Sequence, residues 1–289
     1  MRMRFTAWLN NMLTSKNNPK IKAAKKLLSR RGREKAGQYL IEGPHLLEAA
    51  LEAGADLAEV FLTPEHEADF KLANQTLISP EIASELSDTQ RDQGVFAVVN
   101  LGQKASFKPA SPAVLLLDGV QDPGNLGTLI RSADAFHYQD IYLGKGTVDP
   151  YSPKVVRSMQ GSQFHVRLHQ VVLEEAMANL RAAGYCLAAT ELNDQAQALE
   201  TYNLKKHQKW GIILGNEGNG VRPEIIAASD ISLYITMLGQ AESLNVAIAG
   251  SIAMHHFLPN WSVGSTKERT WTYWQKLITL GKMTVTIWP

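Results

Sequence analysis

The sequence predicts an α/β protein in two parts, a small α/β unit followed by a mostly parallel sheet with helices on both faces. Apolar strand-like runs alternate with helical stretches from residue 113 to residue 257, the pattern of parallel strands joined by helical crossovers. A stretch from Leu101 to Pro112 carries Gly102, Pro109, Ser111 and Pro112 among polar residues and breaks the periodicity, so it reads as a linker. The length of 289 residues also exceeds one ordinary domain of roughly 100–200 residues.

In chain order, residues 14–35 predict a basic helix with a small apolar stripe at Ile21, Ala24, Leu27 and Leu28. Residues 39–43 read as a strand ending in glycine, and residues 44–53 as a helix with Pro44 in its first turn. Strands at 59–62, 76–78 and 95–99, with helices over 64–73 and 80–87 between them, complete the first part. Beyond the linker, strands are expected at 114–117, 141–143, 165–168, 185–189, 211–214 and 231–235, with helices over 125–136, 173–183 and 244–257. The last stretch, 260–289, holds Trp261, Trp271, Trp274 and Trp288 among polar residues without a clear period, and its pattern assigns it no role. The expected boundaries are an extension over 1–13, a first domain over 14–103, a linker over 104–112, a second domain over 113–259 and the tail.

Hydrophobic residues make up 45% of the chain and charged residues 20%, a balance that excludes global disorder. Cys186, the sole cysteine, excludes an intramolecular disulfide and sits in an apolar run that reads as a buried strand. No run approaches the roughly 18 apolar residues of a membrane span, and Met1–Arg4 leads into no secretory signal. A cytoplasmic protein is expected. The eight histidines show no ligand spacing, so no metal is expected. The net charge of +1 conceals an asymmetry: residues 1–40 carry eleven Lys/Arg against Glu34, and residues 41–103 carry twelve Asp/Glu against Lys71 and Arg91. The basic segment is either a solvated helical face or a surface for a polyanion, and nine cations against one anion in residues 14–35 favour the second.

Three segments of the second part run from an apolar strand into a Gly- or Ser-containing turn, where ligands of open α/β sheets bind. The first is Asp122-Pro123-Gly124-Asn125-Leu126-Gly127-Thr128-Leu129-Ile130-Arg131-Ser132-Ala133. Asn125 fits a helix N-cap, and Arg131 lies off the apolar stripe; the plain reading is a cap and a surface cation, the functional one a cation for a phosphate or developing oxyanion. The second is Leu214-Gly215-Asn216-Glu217-Gly218-Asn219-Gly220. Its spacing matches neither a dinucleotide fingerprint nor a P-loop, and Glu217 opposes an anionic ligand, so it is a tight turn or a loop for a neutral or cationic ligand. The third is Glu242-Ser243-Leu244-Asn245-Val246-Ala247. Ser243 can cap the following helix, Asn245 falls in its first turn, where it is a poor helix former, and the small residues after it suit close packing in a core or a dimer.

In this order the three segments closely resemble the signature motifs of the SpoU/TrmH family of RNA ribose methyltransferases, over residues 113–258, within the SPOUT superfamily. Residues 14–100 resemble the ribosomal-protein-like α/β domain that often precedes them. The resemblance implies a trefoil-knotted catalytic sheet over 113–259, an RNA substrate-binding domain over 14–103, and S-adenosyl-L-methionine as cofactor. It implies catalytic roles for Asn125, Arg131, Glu217, Ser243 and Asn245, and cofactor contacts from Leu214, Gly215, Gly220, Ile235, Met237 and Leu244. The implied reaction is methylation of a ribose 2′-hydroxyl in structured RNA, rRNA ahead of tRNA, by a homodimer. Two other readings stay open: an RNA-binding protein of the same fold without catalysis, and a knotted methyltransferase acting on a base. The segment 155–164, where relatives have a small-residue turn, and the Trp-containing tail depart from the family pattern.

Overall fold

The apolar runs become two sheets in the computed structural model, which describes residues 12–102, 109–203 and 207–258. The expected N-terminal extension up to residue 11, most of the linker and the Trp-containing tail from residue 259 lie outside the described residues. The first sheet follows α1 (Pro19–Lys26) and α2 (Arg30–Ala36) and contains β1 (Gln38–Glu42), β2 (Leu57–Leu62), β3 (Gln75–Leu77) and β4 (Val95–Asn100), in the order β1-β4-β2-β3. Between them lie α3 (Pro44–Glu52) and α4 (Pro80–Leu86), each started by its proline. The expected stripe packs as predicted, with Ile21, Ala24 and Leu27 buried in one cluster with Phe61, Ile82 and Phe96.

Two expectations change here. The basic segment is two helices, because Ser29 caps a second one by accepting the Gly32 amide at 3.1 Å. Residues 64–73 form only a single 3₁₀ turn, Pro64–His66. His66 Nδ1 instead meets Asp69 at 2.8 Å, and the Leu72 amide donates to Gln75 Oε1 at 3.0 Å, local side-chain bonds that compete with a helix.

The second sheet comprises β5 (Ala113–Leu117), β6 (Asp140–Leu143), β7 (Arg167–Gln170), β8 (Cys186–Thr190), β9 (Gln197–Ala198), β10 (Trp210–Leu214) and β11 (Ile231–Tyr234). Its order is β7-β6-β5-β10-β8-β11-β9, and every recorded pairing is parallel. Every residue of β5, β6 and β10 is buried, as expected for parallel strands covered on both faces. The crossovers are α5 (Pro123–Ala135), α6 (Pro153–Met159), α7 (Leu173–Ala182) and α8 (Pro223–Ala227), and α9 (Val246–His256) follows β11. The segment expected to differ from a small-residue turn is thus mostly α6, ended by Gln160 in the left-handed region. The strand expected at 165–168 starts two residues later, at Arg167.

Helix α9 packs its small face within the chain. Ala247, Gly250 and Ala253 are buried, and a Cβ on Gly250 would lie 2.4 Å from Leu214 Cδ1 and 2.5 Å from Leu129 Cδ2. Its opposite face leaves Ile248 54% and Ile252 40% exposed.

Candidate active site

Strand order reverses at β5, whose neighbours are β6 and β10, so its C-terminal end is the switch point at which such sheets bind ligands. The loop leaving β5, residues 118–122, and the loop leaving β10, residues 215–222, meet there. Asp118, 2% exposed, accepts the Arg222 amide at 2.9 Å and Arg222 Nε at 2.8 Å. Asn216 Nδ2 donates to the Gly119 carbonyl at 2.9 Å, while its Oδ1 accepts the amides of Gly218 and Asn219. The second loop is closed by paired bonds between Asn216 and Gly220 at 2.9 and 3.0 Å. Only glycine fits at 215, where a Cβ would lie 2.0 Å from the Gly220 carbonyl carbon, and Gly220 itself has φ +67°.

Glu217 locks the two loops together. Its Oε2 accepts the Gln121 amide at 3.0 Å, and its Oε1 accepts the Asp122 amide at 2.9 Å and Asn125 Nδ2 at 3.1 Å. Burial alone would raise this carboxyl; the bonds from Gln121, Asp122 and Asn125 together outweigh it and hold the group below the usual carboxylate range. Asn125 Oδ1 in turn accepts Asn245 Nδ2 at 2.9 Å, and Asn245 Oδ1 accepts the amides of Ala247 at 2.9 Å and Ile248 at 3.3 Å. One relay therefore runs from the second motif through the first to the third, and each amide has its donor and acceptor ends fixed by its neighbours.

Both expected caps move. The N-cap of α5 is Asp122, whose carboxylate accepts the Asn125 amide at 2.8 Å, because Pro123 occupies the first helical position. Asn125 sits inside the first turn with its side chain free for the relay. At α9 the cap is Asn245, immediately before the helix, and Ser243 lies two residues upstream of it. The Asn245 amide thus both caps α9 and joins Asn125.

A cavity of about 560 Å³ opens beside this relay. All the residues expected to contact the cofactor line it: Leu214, Gly215, Gly220, Ile235, Met237 and Leu244. So do Glu217, Ser243 and Asn245. Asn125 is tied to its edge by the relay and does not line it. Arg131 stands apart, exposed on α5, and among the described residues nothing pairs with it. Asp118, Asn216 and Arg222, which hold the loops, and Glu191, which lines the cavity, escaped the sequence reading. Asp118 and Asn216 do sit one or two residues past the ends of β5 and β10, where loop-fixing groups belong. Cys186 is buried, and burial, with Asp230 nearby, pushes its thiol up to about 11, consistent with an inert strand residue. No described helix is long and apolar enough to cross a membrane.

Residues 112–255 match the model of the SpoU rRNA Methylase family, and residues 18–97 match that of the MRM3-like substrate binding domain. The chain is 36% identical over 247 residues to the 23S rRNA (guanosine(2553)-2'-O)-methyltransferase RlmP of Bacillus subtilis, covering 84% of this chain and 98% of that one. Among solved structures, the AdoMet-bound rRNA methyltransferase of Sinorhizobium meliloti superimposes with a TM-score of 0.76 at 28% identity, over 85% of this chain and 96% of that one. The SpoU methyltransferase AviRb of Streptomyces viridochromogenes, in complex with AdoMet, gives a TM-score of 0.73 at 25% identity, over 83% and 97%. With the three motifs converging on one cavity at the sheet's switch point and a relative this similar over nearly its whole length, the chain belongs to the SpoU family of rRNA methylases.

Proposed function

We propose that this protein transfers the methyl group of S-adenosylmethionine to a ribose 2′-hydroxyl of ribosomal RNA. The observation that carries the reading is the Glu217–Asn125–Asn245 relay at the edge of the cavity. The cavity suits the cofactor in size, since small-molecule sites span roughly 300–1,000 Å³. It suits it in chemistry too: Leu214, Ile235, Met237 and Leu244 offer apolar walls for a flat base, and the loop at Gly215–Gly220 brings backbone polar groups close. When bound, S-adenosylmethionine supplies an electrophilic methyl on a cationic sulfur.

The chain's residues do the positioning. Glu217 spends its carboxylate on holding the 118–122 loop, and Asn125 and Asn245 present a rigid polar edge beside the cavity. Such pre-organisation matters because methyl transfer to oxygen needs an in-line approach. Arg131 is the proposed activating group. It lies six residues along α5 from Asn125, a rise of about 9 Å, and is free to meet RNA. An arginine side chain keeps its proton throughout the physiological range and is a poor base, so it orients the phosphate next to the target ribose or stabilises the developing alkoxide. Ser243, at the cavity wall, contributes a hydroxyl next to the same edge.

The active form proposed is a cytoplasmic homodimer with the knotted threading of its family. The exposed Ile248 and Ile252 support a dimer: α9 is apolar on both faces, and a second copy would cover what this chain leaves open. The test is transfer of labelled methyl from S-adenosylmethionine to total RNA lacking its native modifications, followed by nucleoside analysis and comparison with Arg131→Ala. The expected product is a 2′-O-methylnucleoside in rRNA that disappears in the variant. A methylated base, or no transfer while the cofactor still binds, refutes the reading.

A further inference from the structure

The basic N-terminal run is partly neutralised by its own fold, and the exceptions form a pattern. Lys16 and Lys25 both pair with Glu85, Lys20 with Glu59, and Arg30 with Glu34. Lys22 and Lys26 on α1, and Arg31 and Lys35 on α2, are exposed, and among the described residues no bond engages their side chains. Each couple is spaced i, i+4 and so projects from one face of its helix.

Arg33 lies between the second couple and points inward, 4% exposed. Its Nε and Nη2 donate to Asp149 Oδ2 at 3.0 and 2.5 Å, and its Nη1 donates to the Leu27 carbonyl at 2.6 Å. Asp149 lies in the second domain, in the loop between β6 and α6. Its Oδ1 accepts the Tyr151 amide at 2.9 Å, and the Tyr151 ring meets Tyr39 of β1 at 4.9 Å between centroids. A second ion pair, Arg157 of α6 with Asp88, joins the two parts nearby.

The loop that carries Asp149 is bonded to the loop that carries the relay. Val148 donates to the Val120 carbonyl at 2.9 Å, Gly144 to the Leu117 carbonyl at 2.9 Å, and Gly119 to Thr147 Oγ1 at 3.2 Å. One or two residues beyond Val120, the amides of Gln121 and Asp122 hold Glu217. Hydrogen bonds joined by single steps of backbone thus lead from the basic helices to the active-site loop, and the first link is a buried, three-donor guanidinium whose geometry a point charge would not reproduce.

We propose that Arg33 is a positioning residue: through Asp149 it holds the basic face of α1 and α2 in register with the 118–122 loop, so that RNA gripped by Lys22, Lys26, Arg31 and Lys35 delivers its ribose to the cavity. This rests on the RNA methyltransferase reading above. Grip and register are separable. Grip is electrostatic and appears in RNA affinity and its salt dependence; register is geometric and appears in turnover, where a misplacement of 1 Å can cost about 100-fold.

The experiment compares wild type, Arg33→Met, the double variant Arg33→Met/Asp149→Leu, and Lys22→Gln/Lys26→Gln, each as the full chain with an rRNA fragment that wild type methylates. The double variant guards against misfolding, since removing one partner strands a buried charge whereas an apolar pair is commonly tolerated. Turnover is expressed per cofactor site counted by calorimetry. Both Arg33 variants are expected to lose about tenfold or more in kcat, with the dissociation constants for RNA and for S-adenosylmethionine within about twofold of wild type. The lysine variant is expected to weaken RNA binding and flatten its salt dependence, the effect that both Arg33 variants lack. Retained kcat in the folded double variant overturns the proposal, as does a loss of rate that only tracks lost cofactor sites. Wild type that methylates no RNA instead refutes the functional reading, and the proposal with it.

Discussion

Replacing Glu217 with glutamine tests the relay at its anchor. The carboxylate accepts from Asp122 N and Asn125 Nδ2 on one oxygen and from Gln121 N on the other, at 2.9 to 3.1 Å. A glutamine amide keeps one acceptor oxygen and turns an N–H₂ group toward a third donor, so at least one charge-assisted bond is lost and the others lose their charge. Such bonds are worth about 1.5–3 kcal/mol each; the residue is exposed, so the lower end applies, about 1.5 kcal/mol. For a protein of this size that lowers Tm by roughly 3–6 °C. If the loop must be closed for the cofactor to bind, it also weakens S-adenosylmethionine binding about tenfold. The pH dependence has a definite sign. The folded-state carboxyl titrates below the 4.5 of the free group, so its contribution is present above that value and is lost as pH falls through the lower folded value. Thermal unfolding of wild type and Glu217→Gln from neutral to acid pH, with calorimetric titration of the cofactor, measures both effects. The Tm gap should be full at neutral pH and close at acid pH. Equal Tm and equal affinity at neutral pH, or a gap that persists unchanged in acid, would refute the assignment of Glu217 as the charged lock between the loops.

Other expectations concern single residues. Arg131→Lys should cut kcat by about 100-fold with cofactor affinity unchanged, because an ammonium lacks the planar fork; near-normal turnover in a methyl-transfer assay would dismiss Arg131 as the activating group. Gly215→Ala should abolish detectable S-adenosylmethionine binding by calorimetry, since its Cβ would sit 2.0 Å from loop backbone that has no side chain to give way. Sedimentation equilibrium should find a dimer at micromolar concentration and a monomer for Ile248→Asp, which puts a charge on the exposed apolar face of α9; a monomeric wild type would end the dimer proposal.

Most of the fold was legible because it rests on local pattern. The buried strands announce themselves as apolar runs, and Pro44, Pro80 and Pro123 mark helix starts. Errors arose where two local signals compete. At the start of α5, Asp122 and Asn125 are both good caps, and Pro123 decides for Asp122. Before α9, Ser243 and Asn245 compete in the same way and Asn245 prevails. The helix expected over 64–73 yields to side-chain bonds that a periodicity reading does not weigh.

By itself, then, the sequence determined the α/β class and the ordered motifs, because strand burial, turn chemistry and glycine spacing act over a few neighbouring residues; the residues that line the cavity followed from the family resemblance those motifs carry. Only the tertiary structure decided what those residues do to one another. Glu217 reaches Asn125 across 92 positions, Asn125 reaches Asn245 across 120, and Arg33 reaches Asp149 across 116. Contacts at such separations follow from how the sheet orders its strands, which brings loops distant in the chain to one edge, and no local preference of the residues involved specifies them.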